Sequence, residues 1–121
     1  MDYDDYLAGS DDPELFAMVR ASLIYDWRRG LFIWKVKQGS QRVGNLAGSV
    51  ATRKFKQEQY ARLKFHGKEF VSGVLAWFYV TGKMPAKIYF KDGDGLNVAW
   101  SNLTTNSPLK SKKIKQERFG G

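Results

Sequence analysis

Two carboxylates and one imidazole are the side chains in this chain best suited to chemistry. Asp92 and Asp94 alternate with glycines, and His66 is the only histidine. Carboxylates bind hard divalent cations, but an EF-hand loop would need a Glu at the twelfth position, where this chain has Leu103. We interpret the Asp-Gly alternation as a tight turn. His66 precedes Gly67 and is interpreted as an exposed turn residue, with a phosphate or partner contact as the alternative.

Basic side chains give the stronger functional argument. All twenty Lys and Arg residues follow Glu14, whereas only six of the twelve acids do, so the chain from Leu15 onward carries a net charge of +14. So much positive charge on a small body attracts polyanions, and nucleic acid is the first candidate. A basic protein that is merely soluble is the alternative. The residues predicted to contact nucleic acid are Arg53, Lys54, Lys56, Arg62, Lys64, Lys83, Lys87, Lys91, Lys110, Lys112 and Lys113.

Composition excludes several classes of site. The chain has no Cys, which excludes disulfides and thiolate metal sites and suits a cytoplasmic protein. Residues 1–5 are acidic where a signal peptide would be basic and then apolar. No apolar run reaches the roughly 20 residues that a membrane span needs. We therefore expect a cytoplasmic protein with no membrane partner, no cofactor and no metal.

The first half of the chain predicts a helix, a strand and an irregular segment. Asp12 and Pro13 suit a helix start, and apolar residues recur at helical spacing from about Glu14 to Ile24. An aromatic run after a glycine turn predicts a strand within the segment from Tyr25 to Val36. Three glycines among small polar residues predict irregular chain from Gln38 to Ala51.

The second half predicts two hairpins and a helix. Residues 60–65 and 69–71 alternate in polarity on either side of a His-Gly turn, which predicts the first hairpin. A helix is predicted over 74–81, ending at a glycine. The second hairpin is predicted to pair 88–91 with 97–100 around the Asp-Gly turn. A last helix after Leu103 would be short or absent, because a proline follows closely.

These elements predict a small α+β domain over residues 11–106, with two β-hairpins and short helices. Residues 1–10 are predicted to be an acidic disordered lead, and residues 107–121 a basic flexible tail. Aromatic residues could form the core or stack on bases. The pattern predicts a core that includes Phe65, Phe70, Trp77 and Phe78. It leaves three tryptophans open: Trp27, Trp34 and Trp100.

Three pieces of sequence between Leu75 and Leu103 form one pattern. They are Leu-Ala-Trp-Phe-Tyr-Val-Thr-Gly-Lys-Met-Pro at 75–85, Asp-Gly-Asp-Gly-Leu-Asn at 92–97 and Trp-Ser-Asn-Leu at 100–103. Together they resemble the HNH pattern of phage and intron homing endonucleases. The resemblance implies an HNH-like ββα unit, here with a degenerate last helix.

The residues that would cut a phosphodiester are missing from this pattern. HNH nucleases use a base to activate water and a divalent cation to hold the phosphate. The resemblance puts the first metal ligand at Tyr89, the base at Phe90 and the second ligand at Ser111, and only the base-orienting Asn102 is retained. Phe90 has no proton acceptor, and a tyrosine hydroxyl is a poor metal ligand at neutral pH. The family's His-Arg pair is also absent, and its places are Gly73 and Val74.

The sequence therefore predicts a catalytically inactive HNH-like protein of phage origin that binds nucleic acid, DNA in the first place, in the host cytoplasm. The alternative is a phage-encoded inhibitor or adaptor that binds a host or competing nucleic-acid-processing protein. Its contact surface would be an exposed apolar patch in place of the polar site. The residues predicted for that patch are Tyr89, Phe90, Val98 and Ala99.

Overall fold

The structure, a computed structural model, describes residues 9–37, 39, 41–54 and 58–106. Helix α1 spans Pro13–Ser22. Its start is as predicted, since the Asp12 side chain accepts a hydrogen bond from the Leu15 amide at 3.1 Å. Its end comes earlier than predicted, because Leu23 and Ile24 pair with the next hairpin strand instead of continuing the helix.

Three antiparallel strands form the first sheet, in the order β1-β2-β3. They are β1 (Leu23–Asp26), β2 (Leu31–Trp34) and β3 (Leu46–Ala47). The tight turn between β1 and β2 ends at Gly30, whose φ of +73° suits glycine. Ala47 pairs with Phe32, so the prediction of irregular chain is wrong for this part of 38–51. Leu46 and Ala47 form a strand here because a neighbouring strand supplies the pairing. The prediction is also wrong for residues 49–51, which pair with residues 60–62.

The second sheet has the order β4-β5-β6, again antiparallel. Its strands are β4 (Ser49–Thr52), β5 (Gln59–Phe65) and β6 (Lys68–Val71). The predicted first hairpin is confirmed, with positive φ at both of its turn residues, His66 and Gly67. Gly48 connects β3 of the first sheet to β4 of the second. A Cβ at Gly48 would lie 2.8 Å from the Arg62 carbonyl oxygen.

Helix α2 (Ser72–Thr81) packs against β5, β6 and α1. It ends at the left-handed Gly82, as predicted. Phe78 is buried and meets Phe16 of α1 edge to face at 5.6 Å. Phe65 and Phe70 are buried as predicted, whereas Trp77 is only partly buried against the core. Neither described helix has the length and apolar character of a membrane-spanning segment.

The second hairpin differs from the prediction. Strand β7 (Tyr89–Phe90) pairs with β8 (Leu103–Thr104), not with residues 97–100. The intervening chain instead binds the first sheet, since the Tyr25 hydroxyl donates to the Val98 carbonyl at 2.6 Å. Residues 100–102 form a single turn of 3₁₀-helix. A last helix does not begin at Leu103, which lies in β8, and residues 107–121 are outside the described part.

Candidate functional sites

Asp92 organises the turn between β7 and the 3₁₀ turn. Its Oδ1 accepts hydrogen bonds from the Asp94 amide at 2.8 Å and from Asn102 Nδ2 at 2.9 Å. Its Oδ2 accepts from Asn97 Nδ2 at 2.9 Å. The hydrogen bonds from these donors hold the pKa of the Asp92 carboxyl below its ordinary value, and the bond from Asn97 contributes most. The turn interpretation is confirmed: both carboxylate oxygens bind donors of the protein itself.

Asn102 holds this turn from inside the fold. It is 8% exposed, its Oδ1 accepts from the Asp92 amide at 3.0 Å, and its Nδ2 also donates to the Asn97 carbonyl at 2.9 Å. Asn102 therefore orients a carboxylate turn, at the place where the HNH resemblance expects an Asn that orients a base. Within the described ranges, no three His, Cys, Asp or Glu side chains group as a metal site would require.

Phe90 occupies the place that the resemblance gives to the base, and it packs on Gly73 of α2. A Cβ at Gly73 would lie 3.1 Å from Phe90 Cζ and 3.1 Å from Ile88 Cγ2. A larger residue at position 73 would have to displace the ring. The absence of a side chain at Gly73 thus leaves the space that the aromatic ring of Phe90 occupies.

The predicted apolar patch is wrong in two of its four residues. Val98 is 1% exposed and Ala99 is 9% exposed, so both are buried, whereas Tyr89 and Phe90 are half-buried. Ala99 is covered because its backbone lies against Gly30, where a Cβ would overlap the Ala99 nitrogen. Exposed aliphatic side chains gather elsewhere, around a groove of about 250 Å³ between the two sheets. They are Leu31, Leu46, Val50 and Leu96.

The second sheet presents a basic face. Leu63 and Phe65 of β5 point into the core, so Tyr60, Arg62 and Lys64 point the other way. The residues that pair with Arg62 and Tyr60 on β4 are small. The Arg53 guanidinium carbon lies 5.3 Å from the centre of the Tyr60 ring. We call this surface the basic face, and its members are Ser49, Ala51, Arg53, Tyr60, Arg62 and Lys64.

Three of the predicted contact residues are paired with acids. Arg62 meets Glu69 at 2.8 Å, Arg53 meets Glu58 at 3.7 Å, and Lys83 meets Asp11 at 3.3 Å. All six side chains are at least two-fifths exposed, and such pairs contribute only about 0–1 kcal/mol. A phosphate can therefore replace the carboxylate at little cost.

The other predicted contact residues are divided among several parts of the chain. Lys54 follows Arg53, and Lys87 and Lys91 flank β7, with the Lys87 ammonium 5.4 Å from the Tyr89 ring centre. His66 is exposed as predicted and shares an open cleft of about 490 Å³ with Lys64. Five predicted positions lie outside the described residues: Lys56, Lys110, Ser111, Lys112 and Lys113.

A second cleft was missed by the sequence analysis. Its volume is about 440 Å³, and Arg20 enters it with the guanidinium carbon 4.7 Å from the Tyr79 ring centre and Nη1 2.8 Å from the Tyr79 carbonyl oxygen. The one sequence feature that indicates this cleft is Trp27, a tryptophan inside a turn. We call it the aromatic cleft, and its lining is Arg20, Tyr25, Trp27, Tyr79, Val80 and Trp100.

Comparison of the chain with family models, with curated proteins and with solved structures found no match.

Proposed function

We propose that this protein binds nucleic acid through the basic face and does not cleave it. The observation that supports this most directly is the row formed by Tyr60, Arg62 and Lys64 on one side of β5. The small side chains of Ser49 and Ala51 beside that row leave the charged groups accessible to a phosphate backbone. Such contacts position a nucleic acid without reading its sequence. The proposal includes the cytoplasm as the place of action.

A salt titration tests this proposal. Binding of a fluorescent DNA duplex, followed by anisotropy, should weaken by powers of ten between low and physiological salt, because each phosphate contact releases counterions. Lys64→Gln should lower the slope of log affinity against log salt by about one. Lys37→Gln removes the same charge from an exposed lysine outside the basic face and should leave the slope unchanged. Binding that is absent at low salt, or equal effects of the two variants, would contradict the proposal.

The absence of cleavage is the second part of the proposal, and the packing of Phe90 on Gly73 supports it. A nuclease assay should show no cleavage above the buffer control with Mg²⁺, Mn²⁺, Ni²⁺ or Zn²⁺. If the HNH resemblance reflects ancestry, the triple variant Tyr89→Asp, Phe90→His and Ser111→Asn should recover a trace of metal-dependent nicking. Cleavage by the unmodified protein that is lost in Asp92→Asn would instead make Asp92 a metal ligand.

A protein partner remains the second candidate, now supported by the exposed aliphatic groove rather than by the buried Val98 and Ala99. Under this hypothesis the protein is an inhibitor or adaptor of a nucleic-acid-processing protein. A pull-down from host lysate after nuclease treatment should recover one stoichiometric protein. Leu46→Asp in the groove should abolish its recovery, while Val43→Asp, at another exposed aliphatic position, should not. Recovery that disappears with the nucleic acid would exclude this alternative.

A further inference from the structure

Trp27 is exposed in a protein that needs its large side chains for the core. It is 54% exposed, whereas Trp34 is 4% exposed and the rings of Trp77 and Trp100 pack on each other at 5.0 Å. Together with the partly exposed rings of Tyr79 and Trp100, Trp27 forms a contiguous apolar surface, and such a surface marks a contact site. Core formation therefore does not explain Trp27.

The backbone around Trp27 is firmly held. Its carbonyl accepts a hydrogen bond from the Trp100 amide at 2.9 Å, which ties the hairpin tip to the 3₁₀ turn. Within the tip, the Gly30 amide donates to the Asp26 carbonyl at 2.7 Å and the Arg29 amide to Asp26 Oδ1 at 3.2 Å. The indole is thus displayed on a preorganised loop, and binding to it costs little conformational entropy.

Positive charge lies against the aromatic faces of this cleft. The Arg28 guanidinium carbon is 4.9 Å from the centre of the Trp27 ring, in addition to Arg20 over Tyr79. Asp26 is the nearby acid, and it forms an ion pair with Arg29 at 3.7 Å. Planar rings beside guanidinium groups match a ligand that combines a flat ring with an anion.

We propose that the aromatic cleft binds an unstacked base of a single-stranded nucleic acid, which stacks on Trp27 while Arg28 meets a flanking phosphate. Its volume lies within the range of about 300–1,000 Å³ typical of small-ligand sites. The two arginines favour this anionic ligand over a proline-rich peptide. The inference rests on the proposed nucleic-acid binding and adds its form, because bases inside a duplex already stack on one another and cannot offer a free face.

The test compares two probes of equal length, a short oligothymidylate and an abasic oligomer with the same number of phosphates. The oligothymidylate should bind more tightly at low salt and should quench tryptophan fluorescence. Trp27→Ala should weaken its binding about 5- to 150-fold and leave the abasic oligomer unaffected. Trp27→Phe, which keeps a stacking surface, should retain most of the affinity. Val43→Ala truncates an exposed apolar side chain outside the aromatic cleft and should have no effect.

The outcomes separate the two proposals. Equal affinity for both oligomers, or unchanged binding by Trp27→Ala, would overturn the base site and leave the phosphate-binding function standing. No binding of either oligomer or of duplex DNA at low salt would overturn both. Quenching by a proline-rich peptide, with none by oligothymidylate, would make the cleft a peptide site and would also overturn the inference.

Discussion

Asn102 stands where the HNH resemblance expects an Asn that orients a base, but its hydrogen-bond partners here are Asp92 and Asn97. The amide of one buried side chain satisfies a carboxylate and a carbonyl, and its oxygen accepts a backbone amide. Phe90 and Gly73 are a second example, because the Phe90 ring occupies space that a side chain at position 73 would need. At both places the role of the side chain follows from its immediate neighbours.

The lowered pKa of Asp92 predicts a dependence of stability on acid. The folded state favours the ionised Asp92 carboxylate. The stabilising effect of this carboxylate is therefore complete above about pH 4, the ordinary pKa of an Asp carboxyl, and it is lost as the pH falls through the lower pKa of the folded state. The difference in unfolding free energy between the natural protein and Asp92→Asn should narrow over that window, measured by urea unfolding. Asn97→Ala, which removes the largest contributor, should reduce the pH dependence. Parallel curves for the natural protein and Asp92→Asn would contradict this assignment.

At the scale of elements, the hairpin of β1 and β2 depends on the segment that follows the Asp92 turn. The Tyr25 hydroxyl and the Trp27 carbonyl both bind this segment, at Val98 and Trp100. Burial raises the pKa of the Tyr25 hydroxyl, and nearby Asp26 raises it further, so Tyr25 remains the neutral donor that this contact needs.

Two glycines with similar positive φ angles test how strongly the hairpin of β1 and β2 depends on the segment 98–100. Gly30 and Gly93 have φ of +73° and +78°, so alanine should cost each about 1–2 kcal/mol in the left-handed region. Gly93 faces open space, whereas a Cβ at Gly30 would overlap the backbone of Val98 and Ala99. Gly30→Ala should therefore lower the free energy of unfolding by clearly more than Gly93→Ala, measured from urea midpoints at constant m. Equal losses would mean that the 98–100 segment can move away from a Cβ at position 30 without a further loss of stability.

At the scale of the whole molecule, charge is distributed unevenly between the two ends of the chain. Asp11, the first residue after the acidic lead, lies beside the end of α2, where its carboxylate accepts the Met84 amide at 3.1 Å and pairs with Lys83. Beyond Leu15, three of the five described acids pair with an arginine, namely Asp26, Glu58 and Glu69, and a large excess of positive charge remains. The lead is thus tethered to a body of opposite charge.

Removal of the acidic lead, residues 1–10, should strengthen binding to DNA. These residues include three of the aspartates, and a tethered anion competes with phosphates at a high effective concentration. The gain, measured by anisotropy, should be largest at low salt, where charge is least screened. Full-length protein with Asp2, Asp4 and Asp5 changed to Asn should show the same gain, since length is unchanged and only charge is lost. Unaltered affinity in both variants would show that the lead does not compete.

Five features could be predicted from the sequence alone: the α+β class, the start of α1, the first hairpin, the end of α2 and the alternation that puts Arg62 and Lys64 on one face. These features depend on caps, turn glycines and spacing within a few residues, so local chemistry is sufficient to predict them. The domain limits, the HNH resemblance and the absence of cleavage remain predictions.

Long-range packing, by contrast, selects which segments pair and which aromatic and apolar side chains stay exposed. The Tyr25 hydroxyl reaches Val98 across 73 residues of chain, and this contact accompanies the burial of Val98 and the release of 97–100 from the predicted hairpin. The same fold leaves Trp27 exposed and buries Trp34. Every residue other than proline offers the same backbone donor and acceptor, so a local pattern does not specify a distant partner. The packing of the whole chain selects that partner.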